Sequence, residues 1–192
     1  KMHMRVYKER PDVKSVVHAH PIYATSFAIA GIPLTQPIMP EAVIALGCVP
    51  IAEYGTPSTE EIPDAVEKYL PYYDAVLLAN HGALSYSDSL LAAYHKMESV
   101  EFYAELLFHS RQLGGPKEFS KDQIKRLYEI RRKFGMTGKH PANLCPNAKD
   151  GKVSCHTCMV PSCSQSEAQE ANGTDANLIA EITKKVLAEL GK

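Results

Sequence analysis

The sequence lacks the features that would place it in a membrane or on a polyanion. No stretch approaches the ~18 consecutive apolar residues of a membrane span, and no secretory leader is expected from the first residues. Neither sign of charge is in excess, with 21 basic and 22 acidic residues, and no basic run is present. Nucleic-acid binding and membrane insertion therefore have no support, and we expect a soluble, cytoplasmic protein.

Length and residue patterning predict one domain with an appendage. A chain of 192 residues is long enough to bury a core. Through residues 1–135, apolar runs of strand length alternate with segments of helical spacing, which predicts a layered α/β domain. From 136 to 173 the helical spacing disappears and Pro, Ser, Asn, Gly and Gln are frequent, which predicts a flexible linker. Residues 174–192 then predict a C-terminal amphipathic helix.

Start and stop signals give approximate bounds for the elements. Ser58 with Glu61, and Ser120 with Gln123, match capping boxes that open helices. The Ser87–Asp88 pair can cap the longest helix. The predicted helices are about 22–31, 41–46, 59–70, 89–113 and 121–135, and the predicted strands end near residue 20 or span about 49–52 and 75–79.

The segment VVHAHP, residues 16–21, is the first candidate for a functional site. A pair of valines enters it and Pro21 stops it, which predicts the end of a β-strand. Side chains at i and i+2 of a strand point to the same side, so His18 and His20 can both reach one metal ion. Without a third ligand, the same pair is as typical of a strand end that binds no metal.

A third imidazole is available at residue 81. The segment DAVLLANHGA, residues 74–83, is again an apolar run of strand length followed by a histidine, and Gly82 predicts a tight turn after it. If the two strands share a sheet and end side by side, His18, His20 and His81 converge. Three neutral imidazoles leave a tetrahedral zinc site with one open position, which is typical of a catalytic rather than a structural site.

Together with the segments around them, these histidines resemble the class II aldolase/adducin family, and within it the L-fuculose-1-phosphate aldolases most of all. Four segments followed by a long helix carry the resemblance: HAHP at 18–21, IPLTQPIMPEAV at 32–43, VPIAEYGTPSTEE at 49–61 and LLANHGAL at 77–84. The resemblance covers roughly residues 1–135. It implies a layered α/β/α domain in which His18, His20 and His81 hold a catalytic Zn²⁺.

The resemblance also implies an activity. Such an enzyme cleaves L-fuculose 1-phosphate, or the related L-rhamnulose 1-phosphate, to dihydroxyacetone phosphate and L-lactaldehyde. Cleavage leaves an enediolate, and a Lewis acid suits the negative charge that develops on its oxygen. Family members form homotetramers with the site at a subunit interface, so a homo-oligomer is expected.

Two alternatives stay open. L-ribulose-5-phosphate 4-epimerase belongs to the same family and uses the same metal and the same bond cleavage, and the sequence separates the two activities poorly. An adducin-like structural or interaction protein is the alternative from another class. Such a protein need not keep the three histidines, and all three are present here.

In the resembled family, phosphate-binding loops and a glutamate that acts as general acid/base precede the two histidines. By the same alignment, this glutamate falls just before Lys1. We therefore expect the sequence to be the C-terminal part of a longer aldolase domain, with its acid/base and phosphate-binding residues upstream. Glu9 lies in what reads as a helix end and turn, and we assign it no catalytic role.

Four of the five cysteines lie in the predicted linker, in the order C-x9-C-x2-C-x4-C: Cys145, Cys155, Cys158 and Cys163. They can form a small zinc or iron–sulfur site, although the spacing matches no common zinc finger. Reduced thiols or labile disulfides in a flexible segment are the other interpretation. The fifth, Cys48, lies in an apolar run and is predicted to be buried.

The C-terminal helix carries a narrow apolar stripe at i, i+1, i+4, i+8, i+9 and i+12: Leu178, Ile179, Ile182, Val186, Leu187 and Leu190. A helix of this length needs a surface on which to bury such a stripe. It packs on its own domain or a sister subunit, or it docks on another protein. A linker followed by a short amphipathic helix resembles the encapsulation peptides of bacterial microcompartment cargo, which implies shell or cargo proteins as partners.

Overall fold

Six helices and four short strands make up the part of the chain that the structure, a computed structural model, describes: residues 1–140. In chain order they are α1 (Met2–Glu9), β1 (Ser15–Ala19), α2 (Ile22–Ala30), α3 (Pro40–Ala45), β2 (Ile51–Ala52), α4 (Glu61–Glu67), β3 (Ala75–Leu78), β4 (Gly82–Ser87), α5 (Leu90–Gln112) and α6 (Lys121–Lys133). Most of the predicted linker, with Cys145, Cys155, Cys158 and Cys163, and the predicted helix 174–192 lie outside the described residues. Within residues 1–140, no helix has both the length and the apolar character needed to cross a bilayer.

The four strands form one mixed sheet in the order β1-β4-β3-β2. Strand β4 is antiparallel to both β1 and β3, and β2 is parallel to β3. Because β1 and β3 both run opposite to β4, they run in the same direction, and their carboxyl ends lie at the same edge of the sheet. The predicted convergence of the histidines depends on this arrangement.

Helices cover both faces of the sheet. Along β3, Val76 and Leu78 enter one apolar cluster and Ala75 and Leu77 enter the other, as side-chain alternation along a strand requires. The first cluster is closed by residues of α1 and α4, and the second by residues of α2, α3 and α5. The predicted layered α/β fold is confirmed.

The turn predicted at Gly82 is wrong, because Gly82–Ser87 forms strand β4. The chain turns earlier, where Asn80 takes the left-handed conformation with φ of 57°. The sequence GALSYS consists mostly of small and hydroxylated residues, so it lacks the β-branched pattern that predicts a strand. Its conformation is set by pairing on both edges, with β1 on one side and β3 on the other.

The capping box predicted at Ser58 is also wrong. Ser58 has φ of 71°, and α4 begins only at Glu61, with Glu60 in the N-cap position. The Glu61 carboxylate accepts a hydrogen bond from the backbone N–H of Thr56 (2.7 Å) instead of reaching back to Ser58. The helix is therefore Glu61–Glu67, shorter at both ends than its sequence signals indicate.

The two C-terminal helices follow their predictions more closely. Helix α5 begins at Leu90, because the Oγ of Ser89, and not of Ser87, accepts a hydrogen bond from the N–H of Ala92 (3.3 Å). The capping box of Ser120 and Gln123 at the start of α6 is confirmed. Cys48 is buried, as predicted.

The chain remains packed beyond α6. His140 is fully buried, and its Nε2–H donates a hydrogen bond to the carbonyl oxygen of Val43 (2.7 Å). The buried Arg131 donates to the carbonyl oxygens of Ile44 (2.6 Å) and Thr137 (3.1 Å). The packed part of the chain therefore reaches at least residue 140.

Candidate metal centre

The structure brings together the three histidines that the sequence singles out. One ring nitrogen from each of His18, His20 and His81 lies within 4.8 Å of the others. The three ring centroids are 4.9 Å apart in every pair. His18 and His81 are half-buried, and His20 is exposed. The cluster therefore has two imidazoles that are partly covered by the protein and one that is exposed at its surface.

Each histidine is placed by a different part of the sheet. His18 lies within β1, opposite Leu84 of β4. His20 follows the last residue of β1 by one position, and His81 lies in the turn that joins β3 to β4. Because β4 separates β1 from β3, the two histidine-bearing chain ends come to the same edge of the sheet from two strand positions.

Gly82 makes this approach possible. A Cβ atom at residue 82 would lie 2.5 Å from the carbonyl oxygen of Ala19 and 2.5 Å from Cδ2 of His20. Such distances are shorter than any van der Waals contact, so a larger residue would push the end of β1 away from β4. The glycine after His81 therefore serves a close contact rather than the turn.

One hydrogen bond orients the His18 ring. Its Nδ1 lies 2.9 Å from the carbonyl oxygen of Ala83, which can only accept, so Nδ1 carries the proton and Nε2 keeps a free lone pair. The Nε2 atoms of His18 and His20 are 3.2 Å apart. Two nitrogens bound at about 2.0–2.1 Å to a tetrahedral ion lie about 3.3–3.4 Å apart. The pair is thus spaced as two corners of such a tetrahedron, a separation that also suits a hydrogen bond from His20 to His18.

His81 has a buried ring nitrogen, Nδ1, that has no hydrogen-bond partner within residues 1–140. Burial lowers the pKa of His81, and the neighbouring His18 and His20 lower it further. Burial also lowers the pKa of His18. Both rings are therefore neutral at pH 7, which is the form that binds a metal. The donor set fits a metal ion, and it is the one group of three or more His, Cys, Asp or Glu side chains in the described part of the chain that is spaced for one.

Two further residues, one near this cluster and one at the helix that follows it, belong to no motif in the sequence. His3 is half-buried on α1, and this burial lowers its pKa. The charge of the nearby His18 lowers the pKa of His3 further. Glu101, on α5, accepts hydrogen bonds from the backbone N–H groups of Tyr23 (2.9 Å) and Ala24 (2.8 Å) at the start of α2. Only the fold brings His3 near His18 and Glu101 to the first turn of α2.

The chain is similar in sequence to a known protein family and to several enzymes. The family model described as Class II Aldolase and Adducin N-terminal domain matches residues 1–108. The chain is 30% identical over 128 residues to a 5-deoxy-D-ribulose 1-phosphate aldolase of Bacillus thuringiensis serovar kurstaki, covering 66% of this chain and 59% of that protein. It is 33% identical over 110 residues to a 3-oxo-tetronate 4-phosphate decarboxylase of Pectobacterium atrosepticum, covering 55% of this chain and 50% of that protein.

Solved structures give the same relationship. The fold matches that of an L-fuculose 1-phosphate aldolase with a TM-score of 0.63 and 32% sequence identity, over 70% of this chain and 62% of that one. The chain spans between half and two thirds of the length of these relatives. The family match covers more than half of the 192 residues, and it includes all three histidines. The chain therefore belongs to the class II aldolase/adducin family.

Proposed function

We propose that the protein is a zinc-dependent aldolase that cleaves L-fuculose 1-phosphate, or the related L-rhamnulose 1-phosphate, to dihydroxyacetone phosphate and L-lactaldehyde. The observation that carries the proposal is the convergence of three imidazoles at one edge of the sheet. Membership of the class II aldolase/adducin family supports the reaction class. An adducin-like structural protein, the alternative from another class, would not need three such side chains.

The residues of the chain would hold the ion and leave it accessible. His18, His20 and His81 supply three nitrogens, so a tetrahedral ion keeps one position for a substrate oxygen. When bound, Zn²⁺ supplies a Lewis acid for the negative charge that carbon–carbon cleavage leaves on oxygen. The Ala83 carbonyl fixes the His18 tautomer, and burial keeps His18 and His81 neutral. The protein would thus keep three ligands ready at neutral pH.

The choice of zinc rests on the donor set. The cluster contains three imidazoles and no carboxylate or thiol among the described residues. Mg²⁺ and Ca²⁺ prefer oxygen ligands, whereas imidazole suits Zn²⁺ and other late divalent ions. A three-histidine set with an open position is a known arrangement of catalytic zinc.

A homotetramer is part of the proposal. Several large apolar side chains on α5 are exposed in the single chain, among them Leu90 (68%), Leu91 (64%) and Phe102 (52%). Exposed apolar side chains gathered on one helix are typical of a surface that another subunit covers.

We further propose that residues 174–192 attach the enzyme to shell or cargo proteins of a bacterial microcompartment. The proposal rests on the sequence, because these residues lie outside the described part of the chain. In the helix that the sequence predicts there, the six aliphatic residues of the stripe would fall on one side, and the rest would be mostly polar. Burying them on a partner could contribute several kcal/mol, at roughly 25 cal/mol per Å² of apolar area less the ordering cost.

The substrate proposal is tested with the natural protein and a panel of phosphorylated sugars. The panel contains L-fuculose 1-phosphate, L-rhamnulose 1-phosphate, 5-deoxy-D-ribulose 1-phosphate, 3-oxo-tetronate 4-phosphate and L-ribulose 5-phosphate. Dihydroxyacetone phosphate release is coupled to its reduction, decarboxylation is followed as CO₂, and epimerisation is followed by chromatography. We expect fastest cleavage of L-fuculose or L-rhamnulose 1-phosphate, with loss of activity after chelation and recovery with Zn²⁺.

The panel separates the proposal from its alternatives. Epimerisation of L-ribulose 5-phosphate far faster than any cleavage would replace the aldolase with the 4-epimerase. Preference for 5-deoxy-D-ribulose 1-phosphate would keep the reaction class and change the substrate. Fastest release of CO₂ from the 3-oxo-tetronate would change both.

A further inference from the structure

His20 is the ligand that the sheet holds least firmly. Strand β1 ends at Ala19, whose pairing with Ala83 is the last of the β1–β4 ladder. The His20 side chain is exposed, whereas His18 and His81 are half-buried. The β1–β4 ladder holds the chain only on the N-terminal side of His20. On the C-terminal side, Pro21 leads directly into α2, so support there has to come from that helix.

The start of α2 cannot be capped from within its own sequence. The first backbone N–H groups of a helix have no partner inside the helix, and a Ser, Thr, Asp or Asn at the N-cap usually supplies one. The N-cap residue here is Pro21, whose side chain has no oxygen. The first turn of α2 therefore needs an acceptor from another element.

Glu101 of α5 supplies that acceptor with both of its carboxylate oxygens. Oε1 accepts a hydrogen bond from the N–H of Tyr23 (2.9 Å), and Oε2 accepts one from the N–H of Ala24 (2.8 Å). The carboxylate also faces the positive end of the helix dipole. Such a charge-assisted pair of hydrogen bonds is stronger than a neutral one and fixes direction as well as distance.

We infer that Glu101 is a positioning residue for His20: it fixes the first turn of α2 and thereby holds His20, two residues before that helix, beside His18 and His81. The inference rests on the proposed metal function. Glu101 sits on α5, which packs against both α2 and the sheet, so it connects the exposed ligand to the rigid part of the fold. It acts through the backbone of α2, and the substrate and the ion are contacted by other groups.

The test measures metal affinity rather than activity. The full-length protein is prepared with Cys145, Cys155, Cys158 and Cys163 changed to serine, so that linker thiols do not bind the probe. The apoprotein is titrated with Co²⁺ alone, whose visible absorption reports a tetrahedral site. Glu101→Ala should weaken Co²⁺ binding by about tenfold or more, the range found when groups behind metal ligands are removed. Glu101→Gln keeps one acceptor oxygen, so its loss should be smaller, and it serves if the alanine variant does not fold.

A double-mutant cycle with His20→Ala assigns the effect. If Glu101 acts through His20, Glu101→Ala should change Co²⁺ affinity by less than about twofold once His20 is absent. The matched control is Glu105→Gln, on the same helix and near His109, which should bind Co²⁺ as the starting protein does.

Three outcomes would overturn the inference. An equal loss of affinity with and without His20 would show that Glu101 supports the whole site and not His20. A lower melting temperature of the apoprotein with unchanged Co²⁺ affinity would show a structural role only. If the starting protein itself bound no Co²⁺ and no Zn²⁺, the proposed metal function would fail first, and the inference with it.

Discussion

At the scale of single residues, the candidate site depends on side chains with very different burial. His20 is exposed at the end of β1, whereas His18 is fixed by its hydrogen bond to Ala83 and His81 by the turn after β3. An exposed side chain without a packing role contributes little to the stability of the fold. Its removal therefore separates metal binding from folding better than removal of either half-buried histidine.

We expect His20→Ala to lose bound zinc and metal-dependent cleavage while the melting temperature of the apoprotein stays close to that of the wild type. The physical reason is the loss of one of three ligands at an exposed position. Elemental analysis after dialysis should give about one Zn²⁺ per chain for the wild type, as one four-coordinate site requires, and much less for the variant. His95→Ala, another exposed histidine that contacts Glu98 on α5, is the matched control and should keep its zinc.

The four cysteines between residues 145 and 163 need a separate control, because they are potential zinc ligands. A variant with His18, His20 and His81 changed to alanine and Cys145, Cys155, Cys158 and Cys163 changed to serine should contain no zinc. Unchanged zinc in that variant would show that the ion is bound elsewhere and would refute the assignment.

At the scale of elements, the segment after α6 is joined to α3 by a buried histidine. Burial is the main cause that lowers the pKa of His140 to about 3, and the positive charge of the nearby Arg131 is the second. The hydrogen bond to the Val43 carbonyl raises this pKa and offsets part of the effect. The ring is therefore neutral in the folded protein. In the unfolded chain the same group titrates near its ordinary value of 6.5.

This difference predicts a pH dependence of stability. Below pH 6.5 the unfolded state binds a proton at His140 that the folded state does not bind, so the free energy of unfolding falls as the pH is lowered from 6.5 toward 3. The limiting slope for one proton is about 1.4 kcal/mol per pH unit. In His140→Gln, whose amide keeps an N–H donor for Val43, we expect a smaller slope over this window.

Urea denaturation of the zinc-free protein at several pH values between 7 and 4 measures both slopes. His95→Gln, which changes an exposed histidine, is the control. Equal slopes in the wild type and His140→Gln would mean that the buried histidine opens to solvent without global unfolding, contrary to this prediction.

At the scale of the whole molecule, the catalytic proposal and the docking proposal concern different parts of the chain. The three histidines and the sheet that places them lie within residues 1–140. The apolar stripe of residues 174–192 is separated from them by a long polar segment. A linker of that composition and length would let the C-terminal helix reach a partner without disturbing the site.

Fusing residues 174–192 to a fluorescent reporter should carry the reporter into microcompartments in cells that form them. Ile182→Glu combined with Leu187→Glu should prevent this, because two charges would be desolvated in the stripe. The matched control is Lys184→Glu, which changes the net charge by the same two units on the polar side of the helix and should leave targeting intact.

The same double variant in the whole enzyme tests the other interpretation of the tail. If the helix docks on another protein, aldolase activity and oligomeric state should stay unchanged by assay and by light scattering. Loss of activity, or dissociation into monomers, would assign the stripe to the catalytic oligomer instead.

Residue patterns alone were enough to select the three histidines that converge, the strands that lead to them and the α/β class. These features are local: alternation along VVHAHP puts His18 and His20 on one side, and an apolar run ending in His81 needs a buried strand. The cap at Ser120 was predictable for the same reason, since its partner Gln123 is three residues away. At these positions pattern was sufficient because each side chain and its partner are close in the chain, whereas the equally local pattern of Ser58 and Glu61 formed no capping box.

Tertiary structure decided the rest. Strand β4 forms because β1 and β3 pair with it from both sides, although GALSYS has little strand preference of its own. Gly82 is required by the approach of Ala19 and His20, and Glu101 caps a helix that begins 79 positions earlier, at Ile22. In each case at least one partner is distant along the chain, so the propensity of the segment carries no information about that contact, and packing overrides it.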